Sequence, residues 1–155
     1  MSTRYIQENL QTPVNYECDV LVAGGGTAGV VAALAAARNG AKTILVDRYG
    51  FLGGTMLNGA GPLHSFFNLY KAFPGVEKVQ VVRGIPSEIV DRLVAVGGSP
   101  GHLEQERGGS YDSVITLIDW EIFKGVIFDM MEEAGVRLLL HTMVVDAIRE
   151  GNKVI

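Results

Sequence analysis

Short apolar runs alternate along this chain with segments of helical composition, and the alternation predicts a mixed α/β fold. The run 18–23 leads into a cluster of glycines, an alanine-rich segment follows, and a second apolar run, 43–47, ends in an acid. Apolar runs of this kind are typical of buried parallel strands, and the alanine-rich segment is typical of a helix. Residues 18–47 are therefore predicted to form a strand–helix–strand unit.

Two more helices are predicted downstream. Pro86 suits the first turn of a helix whose apolar residues recur on one face and which a pair of glycines ends. Asp119 suits the N-cap of a helix over about residues 120–134, with a glycine directly after it. The apolar stripe of this second helix is interpreted as core.

Further strands are predicted on either side of the last helix. Residues 114–118 read as a short strand, and the run 136–140 as a buried strand beside 43–47. Two β-like runs joined by Gly-Asn at 151–152 predict an antiparallel hairpin over 142–155. The sequence stops within this hairpin, so we expect a longer polypeptide or a second copy of the chain to complete the fold.

The remaining segments lack a regular pattern. Residues 1–16 are predicted to be a polar lead-in, and residues 17–155 form the domain. Residues 48–82 and 98–113 are predicted to be loops. A long irregular segment within a compact domain is usually functional, which directs attention to 48–82.

Composition narrows the class of protein. The 155 residues are 48% hydrophobic, which is enough to build a core, and the net charge of −4 argues against nucleic acid as a partner. The single cysteine, Cys18, excludes an internal disulfide framework, and the N-terminus lacks the pattern of a secretory signal. We expect a cytoplasmic protein, and no spacing of His, Cys, Asp or Glu predicts a metal site.

A membrane span is the main competing interpretation of the first apolar segment. Residues 20–37 carry no charge. However, three adjacent glycines would weaken a helix centre by about 1 kcal/mol each, and half of the segment is better explained as a strand. We expect no membrane partner.

The glycines after the first strand are spaced to hold a dinucleotide. Gly24, Gly26 and Gly29 form G-x-G-x-x-G between strand and helix, and Asp47 follows at the end of the second strand. Gly24 allows the tight turn, Gly26 lets the backbone approach a pyrophosphate, and Gly29 lets the helix pack on the strand. The helix N-terminus would face the phosphates, and the acid would accept hydrogen bonds from ribose hydroxyls. A glycine-rich turn without a ligand is the alternative.

The glycine-rich stretch 48–62 favours FAD over NAD. An extended FAD molecule needs backbone contacts beyond the first turn, and small residues permit them. Asp47 also disfavours the 2′-phosphate of NADP by charge repulsion.

The chain resembles FAD-dependent oxidoreductases of the glutathione-reductase-like superfamily, in the branch related to the fumarate reductase and succinate dehydrogenase flavoproteins. The residues that carry the resemblance are 24–29, Asp47-Arg48 and 50–55, with weaker similarity at 81–90, 97–102 and 133–142. It implies a Rossmann-like FAD-binding fold with a central parallel sheet and the start of an antiparallel β-meander. Residues 17–155 would be a partial FAD-binding domain without the later glycine motif and the substrate-capping domain.

The resemblance also implies residues that contact the cofactor. These are Gly24, Gly26, Thr27, Ala28 and Gly29 at the pyrophosphate, Asp47 and Arg48 at the adenosine, Gly53, Gly54 and Thr55 along the phosphates and ribityl chain, and the Val144 backbone at the adenine edge. Because no histidine lies within residues 53–55, where some relatives attach FAD, we expect FAD to be non-covalent.

Function follows from these assignments as a hypothesis. The chain is expected to be the FAD-binding portion of a flavin oxidoreductase, with the substrate unknown. A non-catalytic FAD- or NAD-binding module and an inert truncated product are the alternatives. His64, Asn58, Tyr70 and Arg83 could lie near the flavin ring, or could be ordinary loop residues with Arg83 in a salt bridge. His102 is predicted to be a turn residue and His141 structural.

Overall fold

The computed structural model describes residues 5–6, 9, 11–58, 63–64, 78–105 and 114–155. In chain order its elements are β1 (Val20–Ala23), α1 (Thr27–Arg38), β2 (Thr43–Val46), α2 (Thr55–Asn58), β3 (Leu63–His64), α3 (Ile85–Ala95), β4 (His102–Glu104), β5 (Val114–Leu117), α4 (Trp120–Glu133), β6 (Arg137–Leu139), β7 (Arg149–Glu150) and β8 (Lys153–Val154).

The central sheet is parallel and has the order β1-β2-β6. Val20 lies opposite Thr43, and Ile44 lies opposite Arg137. All four residues of β2 are buried, as expected for the middle strand of a covered parallel sheet. The predicted strand–helix–strand unit and the third parallel strand after α4 are confirmed. The uncharged segment 20–37 is divided between β1 and α1, and every helix in the described ranges is too short or too polar to cross a bilayer.

Three helices build the core with the sheet. Helix α1 packs on β1 and β2, while α3 and α4 pack on α1 and on each other. Their inward side chains are almost completely buried, and the largest include Leu34, Leu93, Phe123, Ile127, Met130 and Met131. The stripe on α4 is therefore core, as the sequence predicts.

Helix α4 begins where its N-cap residue predicts. The Asp119 side chain accepts hydrogen bonds from the amides of Glu121 and Ile122 at 2.9 and 3.0 Å. These bonds satisfy two of the amides that lack partners within the first turn. Helix α3 likewise has Pro86 in its first turn.

A second, antiparallel sheet with the order β3-β5-β4 overturns part of the loop prediction. Strand β4 lies inside 98–113, and His102, expected in a turn, pairs with Thr116 of β5. The His102 Nδ1 also lies 2.6 Å from the fully buried Thr116 Oγ1. This cross-strand contact involves residues far apart in sequence, so the short run His-Leu-Glu gives little local signal for a strand.

The C-terminal hairpin forms, but it is shorter than predicted. Strands β7 and β8 pair around Gly151 and Asn152, and Gly151 has a φ of 61°. Residues 142–148 are not in a strand, so the prediction of a hairpin from residue 142 is wrong in its first half.

Candidate functional site

The site begins where β1 turns into α1. Gly24 has a φ of 105°, a conformation that residues with a side chain rarely adopt. Its amide donates to the Val46 carbonyl of β2 at 2.8 Å, so the turn is attached to the neighbouring strand. Gly26 follows as the N-cap residue of α1, and because glycine has no side chain, no side-chain hydrogen bond caps the helix.

Gly29 permits close contact between α1 and this turn. A Cβ built on Gly29 would lie 1.8 Å from the Gly24 carbonyl oxygen and 3.4 Å from Val22 Cγ1. The backbones of Gly24 and Gly29 cannot separate to make room without disrupting the turn after β1 or the helix α1. The predicted role of Gly29 in helix–strand packing is therefore borne out by the geometry.

Gly26 faces open space. A Cβ built on it meets no heavy atom within 4 Å, and its φ of −70° suits any residue. The amides of Thr27, Ala28 and Gly29 have no partner within the helix, and the first turn contains no acid. The N-terminus of α1 thus presents N–H donors that have no partner among the described residues, together with a partial positive charge, to this open space, and both features favour an anionic group.

A second glycine segment, Gly53 and Gly54, lies against Gly25 and Gly26. The Gly53 amide donates to the Gly25 carbonyl at 2.8 Å, and Gly53 pairs with Gly26 in a parallel bridge. Gly53 and Gly54 both have positive φ, at 113° and 52°, and a Cβ on Gly54 would lie 2.8 Å from Gly26 Cα. The two glycine segments that the sequence assigns to one ligand are therefore adjacent.

Sequence reasoning did not assign a role to Gly25, although a side chain there would be crowded by its neighbours. A Cβ on Gly25 would lie 2.3 Å from Leu52 Cδ2 and 3.1 Å from Asp47 Oδ2. Gly25 occupies an x position of the motif, and the only available signal was that it extends the run to three glycines.

Asp47 is oriented by two backbone amides. Its Oδ2 accepts from Gly25 N at 2.5 Å, and its Oδ1 accepts from Tyr49 N at 2.7 Å. An ionised carboxylate has about four acceptor positions, so each oxygen retains capacity for a further donor such as a ribose hydroxyl. Asp47 therefore joins the end of β2 to the glycine turn and keeps an acceptor at the site.

Arg48 and Val144 lie near this acid. Arg48 is exposed, and its Nη2 donates to Tyr49 Oη at 2.8 Å. The Thr142 amide donates to the Asp47 carbonyl at 2.9 Å, which brings the segment after β6 alongside. Val144 follows two residues later, and its backbone groups make no hydrogen bond to any described residue. The structure thus brings Arg48 and the segment that leads to Val144 to the end of β2.

The remaining candidate residues are Arg83, Asn58, Tyr70 and His64. Arg83 Nε donates to the Gln80 carbonyl at 2.6 Å, and the described ion pairs do not include the predicted salt bridge of Arg83. Asn58 ends α2, Tyr70 lies outside the described residues, and of His64 only the strand position is described.

His141 is exposed and has a positive φ of 52°. A Cβ on Gly50 would lie 2.6 Å from its Nε2, so the ring packs directly on the loop after Asp47. Across the described ranges, no group of three or more His, Cys, Asp or Glu side chains could hold a metal ion.

Comparison with known proteins identifies the family. The family model described as FAD dependent oxidoreductase matches residues 19–155. The chain belongs to the FAD dependent oxidoreductase family. FAD is accordingly its cofactor. The glycine cradle, which is formed by Gly26, Gly53 and Gly54 at the N-terminus of α1, fits the diphosphate of such a molecule.

Two curated relatives show how much of a family member this chain represents. It is 30% identical over 128 residues to dihydrolipoyl dehydrogenase of Trypanosoma brucei brucei, covering 79% of this chain and 25% of that protein. It is 28% identical over 139 residues to digeranylgeranylglycerophospholipid reductase of Methanothrix thermoacetophila, covering 88% of this chain and 33% of that protein. The chain therefore spans a quarter to a third of these oxidoreductases.

The fold of this chain is also similar to that of a solved structure. It matches GidA of Aquifex aeolicus with a TM-score of 0.53 and 26% identity, over 90% of this chain and 22% of that one. The predicted resemblance to FAD-dependent oxidoreductases and the mixed α/β, Rossmann-like fold class are both confirmed.

Proposed function

We propose that this chain forms the adenosine- and diphosphate-binding part of a flavin-dependent oxidoreductase that transfers a hydride or electrons through non-covalently bound FAD. The observation that carries the proposal is the open space at Gly26, faced by the free amides of α1 and walled by Gly53 and Gly54. When bound, FAD supplies the redox chemistry, and this chain supplies binding and orientation.

The proposed contacts follow the geometry. The amides of Thr27, Ala28 and Gly29 would donate to the diphosphate, because helix N-termini favour anions. Gly53, Gly54 and Thr55 would carry the backbone along the phosphates and the ribityl chain. The free acceptor capacity of Asp47 suits ribose hydroxyls, since an ionised carboxylate only accepts hydrogen bonds.

The adenine would lie at the opposite end of this path. Arg48 would stand beside the adenosine, and the unpaired amide and carbonyl of Val144 would meet the adenine edge. We also propose a cytoplasmic location, supported by the single, free cysteine of the chain.

Gly26→Ala tests the cradle with little disturbance of the fold. The new methyl group would meet no protein atom within 4 Å but would project into the space proposed for the diphosphate. FAD affinity measured by isothermal titration calorimetry should fall at least about tenfold, because backbone and phosphate can no longer approach closely. Gly125→Ala is the matched control, since a Cβ there also meets open space and Gly125 lies within α4.

Spectroscopy separates this proposal from the alternatives. The wild-type chain reconstituted with FAD should show a visible flavin band that dithionite bleaches, and turnover with an electron acceptor would support an enzyme. A retained nucleotide without turnover would indicate a binding module, and the absence of any bound nucleotide would indicate an inert product. Equal FAD affinity in the Gly26 and Gly125 variants would contradict the proposed diphosphate site.

A further inference from the structure

The loop after Asp47 contains a four-layer stack of side chains. The Arg48 guanidinium lies over the Tyr49 ring at 4.7 Å from its centroid, and the Tyr49 and Phe51 rings stack at 5.4 Å with an interplanar angle of 14°. Lys124 Nζ of α4 lies 5.6 Å from the centroid of Phe51. Cations over aromatic faces are favourable, so both ends of this stack carry a positive charge over a ring.

The middle of the stack is fixed by contacts that need no ligand. The Tyr49 amide donates to Asp47 Oδ1, and the Tyr49 carbonyl accepts from His141 N at 3.2 Å. The His141 ring packs on Gly50, where any side chain would collide with it. The Lys124 ammonium is in turn held by Glu121 at 2.7 Å. Tyr49 is therefore placed by the backbone on two sides and supported from α4 through Phe51.

Arg48, in contrast, is held through its neighbour alone. Its described hydrogen bond goes to Tyr49 Oη, and no carboxylate in the described part of the chain pairs with it. The guanidinium carbon lies 4.7 Å from the Tyr49 ring centroid, and the side chain is exposed to solvent. An arginine side chain loses rotamer entropy when a ligand fixes it, so holding the guanidinium in advance lowers the cost of binding.

We propose that Tyr49 and Phe51 are positioning residues that hold the Arg48 guanidinium in place in advance, so that it stacks on the adenine ring of the bound dinucleotide. This rests on the proposed function, because it requires the adenosine to lie beside Asp47. A planar guanidinium stacks on planar π systems, whereas a mobile one would act only as a diffuse positive charge.

Binding of adenosine diphosphate and of inorganic pyrophosphate distinguishes these roles. Tyr49→Leu should weaken adenosine diphosphate binding about two- to fivefold, the effect of one exposed cation–π contact, and leave pyrophosphate binding unchanged. Tyr49→Phe keeps the ring and should recover part of the loss. Tyr16→Leu is the matched control, because Tyr16 also lies under an arginine, Arg137, at 5.0 Å.

A double-mutant cycle tests whether Tyr49 acts through Arg48. In an Arg48→Met background, Tyr49→Leu should have no further effect on adenosine diphosphate binding. In the ligand-free protein, the Arg48 side-chain N–H should lose order by NMR relaxation in Tyr49→Leu, while the Tyr16 variant keeps it. Both results would support positioning and exclude a general loss of the fold.

The outcomes separate this inference from the proposed function. If the wild-type chain binds adenosine diphosphate and Tyr49→Leu binds it equally well, the positioning role is wrong and the proposed function stands. If Arg48→Met weakens pyrophosphate as much as adenosine diphosphate, Arg48 acts as a charge on the phosphates and the stacking role is wrong. If the wild-type chain binds neither ligand, both proposals fail.

Discussion

Gly29 tolerates no side chain, because even a methyl group would lie 1.8 Å from the Gly24 carbonyl oxygen. A backbone carbonyl cannot yield as a flexible side chain can. Gly26, three residues earlier, has an open environment although it belongs to the same motif. The two glycines therefore differ in kind: Gly29 is required by packing, whereas Gly26 is not, which is consistent with the ligand role proposed for it.

Gly29→Ala should destabilise the protein severely. We expect a loss of about 3 kcal/mol or more in the free energy of unfolding, because the helix must move off the strand. Urea denaturation followed by circular dichroism measures the change.

Gly125→Ala is the control for this substitution. Its Cβ meets open space within α4, so it should be neutral or stabilise by up to about 1 kcal/mol. Equal stability of the Gly29→Ala variant and the wild type would contradict the packing described.

At the level of secondary-structure elements, ion pairs connect helices α1, α3 and α4. Arg38 of α1 donates to both carboxylate oxygens of Glu88 on α3, at 2.5 and 2.8 Å. Arg92 of α3 contacts Glu88 at 3.1 Å and makes a two-pronged contact with Glu133 of α4 at 2.6 and 2.8 Å. These ion pairs therefore connect helices that are distant from one another in sequence.

The pH dependence of stability follows from this network. The hydrogen bonds from Arg38 lower the pKa of Glu88 below its ordinary value of 4.5, and those from Arg92 lower the pKa of Glu133. A carboxyl whose pKa is lower in the folded state stabilises the protein above its unfolded pKa, and this contribution disappears as pH falls through the folded value.

We expect Glu88→Gln to reduce the loss of thermal stability as the pH falls below 4.5. At neutral pH the substitution should cost a few tenths to about 1 kcal/mol, because the groups are partly exposed and screened by solvent. Melting temperatures at a series of pH values measure this. Glu132→Gln is the control, since Glu132 is exposed on α4 next to Glu133 and has no described ion pair. If the melting temperatures of the wild type and Glu88→Gln fall equally as the pH is lowered, ionisation of Glu88 does not contribute to the pH dependence of stability.

Elements with a local signal could be predicted, and those that depend on distant partners could not. The run from β1 to β2 and the Asp119 cap of α4 depend on glycine, alanine and carboxylate side chains whose preferences act within a few residues. Strand β4 depends on pairing with β5, and its residues have no strong preference for a strand. The glycines at 24, 26 and 29 were predictable from spacing, whereas the crowding at 25 and 50 comes from the side chains of Leu52 and His141, which are distant in sequence.

At the level of the whole molecule, β1 is an edge of the central sheet. Within the described residues only β2 pairs with it, and Leu21 is 50% exposed. Further apolar side chains are exposed along residues 143–155, including Val145 and Ile148. An open strand edge with exposed apolar residues favours pairing with another chain.

The 155-residue chain should therefore associate in a concentration-dependent manner, and Leu21→Lys should reduce the association. A charge on an edge strand disfavours edge-to-edge pairing. Analytical ultracentrifugation over a range of protein concentrations measures the effect. Val94→Lys is the control, because Val94 is 47% exposed on α3, away from the sheet edge. A wild-type chain that stays monomeric throughout this range would contradict the role of the edge.

The contact between Gly25 and Gly53 has one more consequence. Two loops that are far apart in sequence are joined by a main-chain hydrogen bond and a β-bridge, so peptide groups make this contact without any side chain. Peptide groups are common to all residues, and only the positions without space for a side chain are restricted. The other positions of the two loops can therefore vary while the contact between the loops is kept.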